Sequence, residues 1–256
     1  MSDAPLLLAV ESATARASVA VLHGDHVLGR RDDRTGQHHS ETLLPMLDAL
    51  LAEIGAELAD VEAFAISIGP GAFTSLRIGL ATVKGLAFAS DRPVVAIPTL
   101  EALAYSALHG DPANVSAPAV VATLDARRGE VYAAAWQPEV LGSDLAPAMD
   151  RPALLAPGVY TPEALARSLP AGTRVVGEGA SILAASESDL GALQLEGLPH
   201  SMPDAVAVGR IARCDLAAGL GGPAADLVPL YLRLTQAEEE RKRAAQGRAP
   251  GPPHPL

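Results

Sequence analysis

Cysteine is almost missing: Cys214 stands alone among 256 residues, which excludes an internal disulfide and a cysteine-rich zinc site. That thiol falls in an apolar helical pattern, so a buried core cysteine is expected there rather than a nucleophile. Aromatic residues are scarce at 3% and leave few platforms on which unpaired bases could stack. Positive charge is in short supply too, with 19 Lys and Arg against 30 Asp and Glu and a formal net charge of −11. The basic residues are scattered apart from the tail segment EEERKRAAQGR. The chain therefore lacks the basic stripe of an independent nucleic-acid binder, and contact with RNA is expected only alongside a partner. No apolar run approaches the ~18 residues that suggest a membrane span. The start, MSDAPLLLAVES, has no basic stretch and meets Glu11 after a brief apolar run, unlike a signal peptide. A cytoplasmic protein without a membrane segment is expected.

What is present suits a globular fold with a substantial core, either one large domain or two lobes. LLLAVES (6–12), SVAVLHG (18–24) and HVLGRRDD (26–33) read as an antiparallel meander with a tight turn at Gly24-Asp25. The segment SETLLPMLDALLAEIG has apolar residues at 43, 44, 46, 47, 50, 51 and 54, which predicts a helix of three to four turns with a broad apolar arc. Ser40 and Thr42 compete as its cap, and Thr42 is preferred because it leaves Pro45 in the first turn. AFAISIG (63–69) is a buried strand running into Pro70-Gly71, and Thr74 is expected to cap a nearly all-apolar helix over 75–89. PVVAIPT (93–99) and the helical LEALAYSAL complete a first lobe, residues 1–110.

A second lobe, 111–237, is less regular. It offers a hairpin around Arg127-Arg128-Gly129, a short helix TPEALARSL with a Thr cap and Pro at its first position, and a strand TRVVGEG. A closing helix over 204–220 follows, with apolar positions 206, 208, 211, 214, 216 and 220. Residues 238–256, rich in charge and then Pro and Gly, are expected to be disordered.

The stretch ISIGPGAFTSLRIGLATVKGLAF has the strand, Gly-rich turn and helix start of a phosphate loop. It lacks the Gly-Lys-Ser/Thr ending and the third Rossmann glycine, so a tight turn that packs the helix on the sheet is favoured over an anion site. Gly69-Pro70-Gly71-Ala72-Phe73-Thr74-Ser75-Leu76-Arg77-Ile78-Gly79 resembles the GPGSFTGLRIG signature of the TsaB (YeaZ) family, departing at Ala72 and Ser75. Three further segments agree in order and spacing: His39-Ser40-Glu41 before Leu43-Leu44-Pro45, Asp125 to Tyr132 with Arg127, Arg128 and Gly129, and Pro229-Leu230-Tyr231-Leu232-Arg233. The resemblance spans about residues 6–236 and is strongest over 38–100.

The resemblance implies an α/β fold of two actin-like (ASKHA) lobes, mixed sheets flanked by helices. It further implies a non-catalytic subunit that pairs with a catalytic paralogue, TsaD, in transferring threonylcarbamoyl to the adenosine next to the tRNA anticodon. A TsaE-type ATPase completes that system, tRNA is reached only through the complex, and a homodimer is the expected state without TsaD. No cofactor and no metal are expected in this chain. In the superfamily an acid ending the first strand helps hold a nucleotide's magnesium; here Glu11 and Ser12 occupy that place without a following glycine, a degenerate nucleotide motif. The paralogue's His-x-x-x-His metal pair is replaced by adjacent His38 and His39, whose side chains diverge. The alternatives are an ATPase or phosphotransferase of the same superfold and, less well supported, a metallopeptidase. Arg127 and Arg128 are candidates for a phosphate or partner carboxylate, against a merely solvated turn.

An excess of apolar surface on the first two helices suggests the partner face. The expected contacts are Leu43, Leu44, Met46, Leu47, Leu50, Leu51 and Ile54 on the first, and Leu76, Leu80 and Val83 on the second. Deleting the residues from 239 onward should leave partner binding intact; loss of pairing in a pull-down of the truncated chain would overturn the expectation of a dispensable tail.

Overall fold

Alternation along the first strand sets the layering. The computed structural model describes residues 4–33, 39–110, 116–142, 145–191, 193–195 and 202–233. In β1 (Leu6–Glu11), Leu8 and Val10 enter one core while Leu7 and Ala9 enter another, as a pleat of period two requires. β2 (Ala17–His23) and β3 (His26–Asp33) continue antiparallel from it. β4 (Ala63–Ser67) and β5 (Val94–Ile97) add on in parallel, giving the order β3-β2-β1-β4-β5.

The second sheet repeats this plan. β6 (Val120–Asp125), β7 (Val131–Trp136) and β8 (Leu155–Tyr160) form an antiparallel meander, and β9 (Arg174–Val176) and β10 (Gln194–Leu195) follow in parallel. Read from β8, its order β8-β7-β6-β9-β10 matches the first sheet strand for strand.

Helices α1 (His39–Ile54) and α2 (Phe73–Ser90) cover one face of the first sheet. α3 (Thr99–Gly110) lies between the two sheets, contributing Ala102 and Tyr105 to one core and Leu100, Leu103, Ala104, Ala107 and Leu108 to the next. α4 (Pro162–Ser168) and α5 (Gly179–Ala184) close the far face of the second sheet. As expected, Thr161 caps α4 by accepting from the Ala164 amide at 3.3 Å, with Pro162 at the first position. No helix among the described residues is long and apolar enough to cross a membrane.

Several expectations need correction. α1 already runs from His39, so Thr42 is inside the helix and Pro45 interrupts its ladder instead of sitting in the first turn. α2 is capped by Ala72, not Thr74, and Ala72 has no side-chain acceptor to offer. α6 (Ala205–Ala217) belongs with the first sheet rather than the second lobe: Ala205, Ala207, Val208, Ile211 and Ala212 pack on the strand residues Leu7, Ala9, Ala20 and Leu22. Small side chains let this helix lie close to the sheet: of its larger apolar residues Val208 and Ile211 are buried, whereas Val206, Leu216 and Cys214 are only partly so. β8 contains Pro157-Gly158, a pair tolerated because the strand lies on the sheet's edge. The tail from 238 lies outside the described residues.

Burial of α3 from both sides has a cost at Glu101, which is 7% exposed. Desolvation raises its carboxyl above the ordinary value, opposed by the Arg151 guanidinium. Arg151 donates from Nε to Glu101 Oε1 at 2.6 Å and, bidentately, to Asp215 of α6 at 2.8 and 3.0 Å. The triad thus joins α3, the loop before β8 and α6. Arg151→Met should leave two buried carboxylates without a cation and cost about 3–5 kcal/mol, read as a lower urea midpoint; a loss under about 1 kcal/mol would contradict the buried triad.

Candidate functional site

Four segments far apart in sequence meet where the lobes face each other. The cleft between them encloses about 760 Å³ and is lined by Ala13, Thr14 and Ala15 after β1, Gly71 to Ser75 and Ile78 at the start of α2, Leu124 to Arg127 after β6, and His39, Tyr132 and Glu178. The β4–α2 turn reaches this position only because it lacks side chains at two points of close approach. A Cβ on Gly71 would lie 2.1 Å from the Ala13 carbonyl, the acceptor of the Ala72 amide at 2.7 Å. A Cβ on Gly79 would lie 1.9 Å from the buried Ser12 hydroxyl. These two motif glycines are thus accounted for by packing of α2 on the end of β1. Gly69 accepts from the Thr99 amide at 2.8 Å and donates to the Thr99 hydroxyl at 3.0 Å, and the Gly69-Pro70 bond is cis.

Glu11 is fully buried beneath this turn and does not line the cleft. Its Oε1 accepts from the Ala13 amide at 2.7 Å, and Oε2 has no hydrogen-bond partner of good geometry. Burial pushes the carboxyl up to about 7, against the opposing influence of the Ser67 hydroxyl and the Ala13 amide. A magnesium-bound nucleotide, which the fold class implies, needs an accessible anionic oxygen at the end of β1. These residues do not fit it: the acid is sealed off and shifted toward its neutral form, and Ser12 is packed under Gly79.

His39 lines the cleft, with Nε2 donating to the Thr14 carbonyl at 3.0 Å and Nδ1 buried without a partner; His38 lies outside the described residues. Among the described residues, no three His, Cys, Asp or Glu side chains gather as a metal site.

The β6–β7 turn is unusual in its backbone. Arg127, Arg128 and Gly129 all have positive φ, at 66°, 59° and 74°, a conformation that costs roughly 1–2 kcal/mol for each non-glycine residue. Asp125 offsets part of this by accepting from the Arg127 amide at 2.6 Å and pairing with its guanidinium at 3.2 Å. The turn aims its two arginines apart. Arg127 lines the cleft, whereas Arg128 faces a separate depression beside Glu130, Thr161 and Glu163.

The late segment around Tyr231 returns along α2, which sequence spacing does not reveal. The Leu230 amide donates to Ile68, and Lys84 of α2 donates to the carbonyls of Ala225 and Leu227 at 3.2 and 3.0 Å. Arg77 lies 3.6 Å over the Phe73 ring and donates to the Tyr231 hydroxyl at 2.9 Å, while Phe73 and Tyr231 stack at 5.6 Å. Arg233 pairs with Glu130 and so ties this strap to the second lobe. Phe73, Arg77 and Tyr231 therefore form one exposed cluster at the rim of the cleft.

The expected partner residues divide differently. Leu43, Leu47, Leu50, Leu51, Leu76, Leu80 and Val83 are buried in the first lobe's own core, where α1 packs on α2 and Ala224 and Leu227 of the strap cover α2. Their side chains are not free for a partner. Leu44 is 48% exposed, and Met46 and Ile54 are half-buried.

Two copies of one five-stranded sheet, a helix shared between them and a cleft at their facing turns define a two-lobed actin-like protein. A family model described as "TsaD: tRNA N6-adenosine threonylcarbamoyltransferase" matches residues 33–208. The tRNA threonylcarbamoyladenosine biosynthesis protein TsaB of Haemophilus influenzae is 33% identical over 232 residues, 89% of this chain and 93% of that protein. TsaB of Escherichia coli is 36% identical over 131 residues, 51% of this chain and 54% of that one. The solved structure of YeaZ from Pseudomonas aeruginosa superposes with a TM-score of 0.73 at 32% identity, covering 89% of this chain and 100% of the other. The chain belongs to the TsaB (YeaZ) family.

The raised Glu11 carboxyl has a signed consequence. With a folded value of about 7 against an ordinary 4.5, its ionisation destabilises the fold as pH rises from 4.5 through 7, and below 4.5 that cost is absent. Glu11→Gln should gain about 3 kcal/mol at pH 8.5 and nothing at pH 4, measured by denaturant unfolding. An equal effect at both values would contradict the burial of an ionisable carboxyl.

Proposed function

We propose that this chain is the non-catalytic subunit of the complex that forms threonylcarbamoyladenosine on tRNA, and that it acts by binding a TsaD-type partner. The observation that carries the non-catalytic part is the withdrawal of Glu11: the fold keeps its cleft, but the acid that would serve magnesium and phosphate chemistry is sealed behind it. The relatives' role in this biosynthesis supports the rest of the reading. In it, a TsaE-type ATPase acts on the pair, tRNA is bound through the complex, and the chain pairs with itself when TsaD is absent.

The partner face we assign is the outer side of α1 and α2, but through other residues than the apolar pattern suggests. Arg77, Ala81 and Gly85 follow one another at spacings of four on α2, Phe88 continues the stripe, and all are exposed, Phe88 by 82%. Leu44 supplies an exposed apolar position on α1, and Phe73, Tyr231 and the 64%-exposed Val228 extend the patch at the strap. Small residues at 81 and 85 permit close approach of a partner helix. Aromatic residues and arginine are the types that dominate interface energetics.

Leu51→Arg would test folding rather than pairing, because Leu51 is only 6% exposed. Leu44→Arg with Phe88→Arg tests the face itself. The double variant should remain folded by circular dichroism, lose at least about thirty-fold in affinity for TsaD and fail to support tRNA modification in a reconstituted assay. Normal pairing by this variant would remove the interface assignment. Full modification by TsaD without this chain would remove the function.

A further inference from the structure

We propose that the concavity between β3, the end of α3 and the start of α6 is a phosphate-binding site. It encloses about 430 Å³ on the face of the first sheet opposite α1 and α2, and Arg30, Tyr105, Ser106, His109, Asp204 and Arg210 line it. The site stands apart from the pairing reading, needing neither TsaD nor any activity.

Arg30 reaches this face because of an irregularity in the sheet. The register of β2 and β3 shifts between Val21 and Leu22, so that Val27 stands opposite Leu22 and Arg30 opposite Ala20, both on the α6 side. Its neighbour Arg31 points the other way and is neutralised by Glu53 of α1 at 2.8 Å. Arg213, one turn beyond Arg210, is neutralised by Asp25 at 2.7 Å. Arg30 and Arg210 have no carboxylate partner among the described residues. The one acid in the wall, Asp204, is turned to the start of α6, where it accepts from the Ala207 amide at 2.8 Å.

The remaining wall is built to hold these groups in place. Arg210 lies against the Tyr105 hydroxyl. The Tyr105 ring is 7% exposed and stacks on His109, with centroids 3.9 Å apart and planes at 21°. His109 Nδ1 donates to the Tyr105 carbonyl at 2.9 Å, which fixes the ring against the wall. The Ser106 hydroxyl is buried and has no partner. Two guanidiniums and a hydroxyl around one cavity offer more donors than a carboxylate can accept. The tetrahedral, multiply charged oxyanion of a phosphate matches them, and guanidinium forks bind it bidentately. A small nucleotide and an RNA backbone both carry that chemistry.

The experiment uses the full chain with three probes: AMP and inorganic tripolyphosphate by calorimetry, and an unmodified tRNA transcript by fluorescence anisotropy at two salt concentrations. At least one should bind. Arg30→Ala with Arg210→Ala should weaken that binding by at least about tenfold, while Arg167→Ala in α4 leaves it unchanged. Binding of the small probes alone identifies a free phosphate compound. Binding of tRNA, with a salt slope reduced by about 1 to 2 in the double variant, identifies a backbone contact. Should the double variant unfold, Arg30→Ala alone, at an exposed strand position, carries the same test. Absence of binding by all three probes, or binding that the arginine variants leave unchanged, would overturn the proposal.

Discussion

A carboxylate on a helix that two sheets cover must be neutralised from outside that helix, and the placement of Arg151 follows from this need. α3 is buried except at Ser106, His109 and Gly110, because its residues close one core with the first sheet and another with the second. Glu101 sits in its first turn, and Arg151 reaches it from the second lobe while also holding Asp215 of α6. Separating the lobes would part charges already removed from water, at several kcal/mol. The strap adds a second tie through Arg233 and Glu130. The cleft is consequently bounded by two lobes fixed at both ends, and its shape is a property of the packed core.

That rigidity changes the meaning of the Gly-rich motif. In a phosphate loop, glycines let a backbone approach a ligand. Here the atoms approached are the Ala13 carbonyl and the Ser12 hydroxyl of the same lobe. The motif is architecture that presses α2 onto the end of β1, and the same pressure closes over Glu11. Loss of an accessible acid and close packing of the helix are one structural event. The exposed products of this arrangement are Phe73, Arg77 and Tyr231, held together by stacking and a hydrogen bond at the rim.

The first lobe was largely legible in sequence because its strands are short apolar runs bounded by turn residues, Gly24-Asp25 marks the hairpin, and long apolar periodicity marks both helices. The motif segments were legible as well, through the resemblance they carry. What periodicity cannot encode is which element covers an apolar arc. Leu47 and Leu76 look equally suited to a partner or to each other's core, and the choice depends on α1 meeting α2 and on residues 224–227 returning over α2. For α6 the signal was partial, since Val208 and Ile211 mark the contact face but Ala205, Ala207, Gly209 and Ala212, which complete it, are too small to register as a stripe. β8 was hidden by a Pro-Gly pair that only its edge position makes acceptable. Arg30, His109 and Arg210 were invisible as a cluster because each comes from a different element, and a β-bulge decides which way Arg30 faces.

Charge links this cluster to the rest of the molecule. A chain of net charge −11 repels a polyanion at long range, but at physiological ionic strength such repulsion fades beyond about 8 Å. Two unneutralised arginines in a concavity can therefore hold a phosphate at contact distance without drawing RNA toward the protein from afar. Affinity for RNA in isolation would be modest and its salt slope shallow, since counterion release from two or so phosphates supplies only a small part of what a basic stripe supplies. The pocket lies on the opposite side of the first sheet from α1 and α2, so a partner docked on those helices leaves it open. A chain of this charge distribution is suited to fixing the position of a phosphate-bearing ligand already close at hand, and ill suited to capturing one from afar.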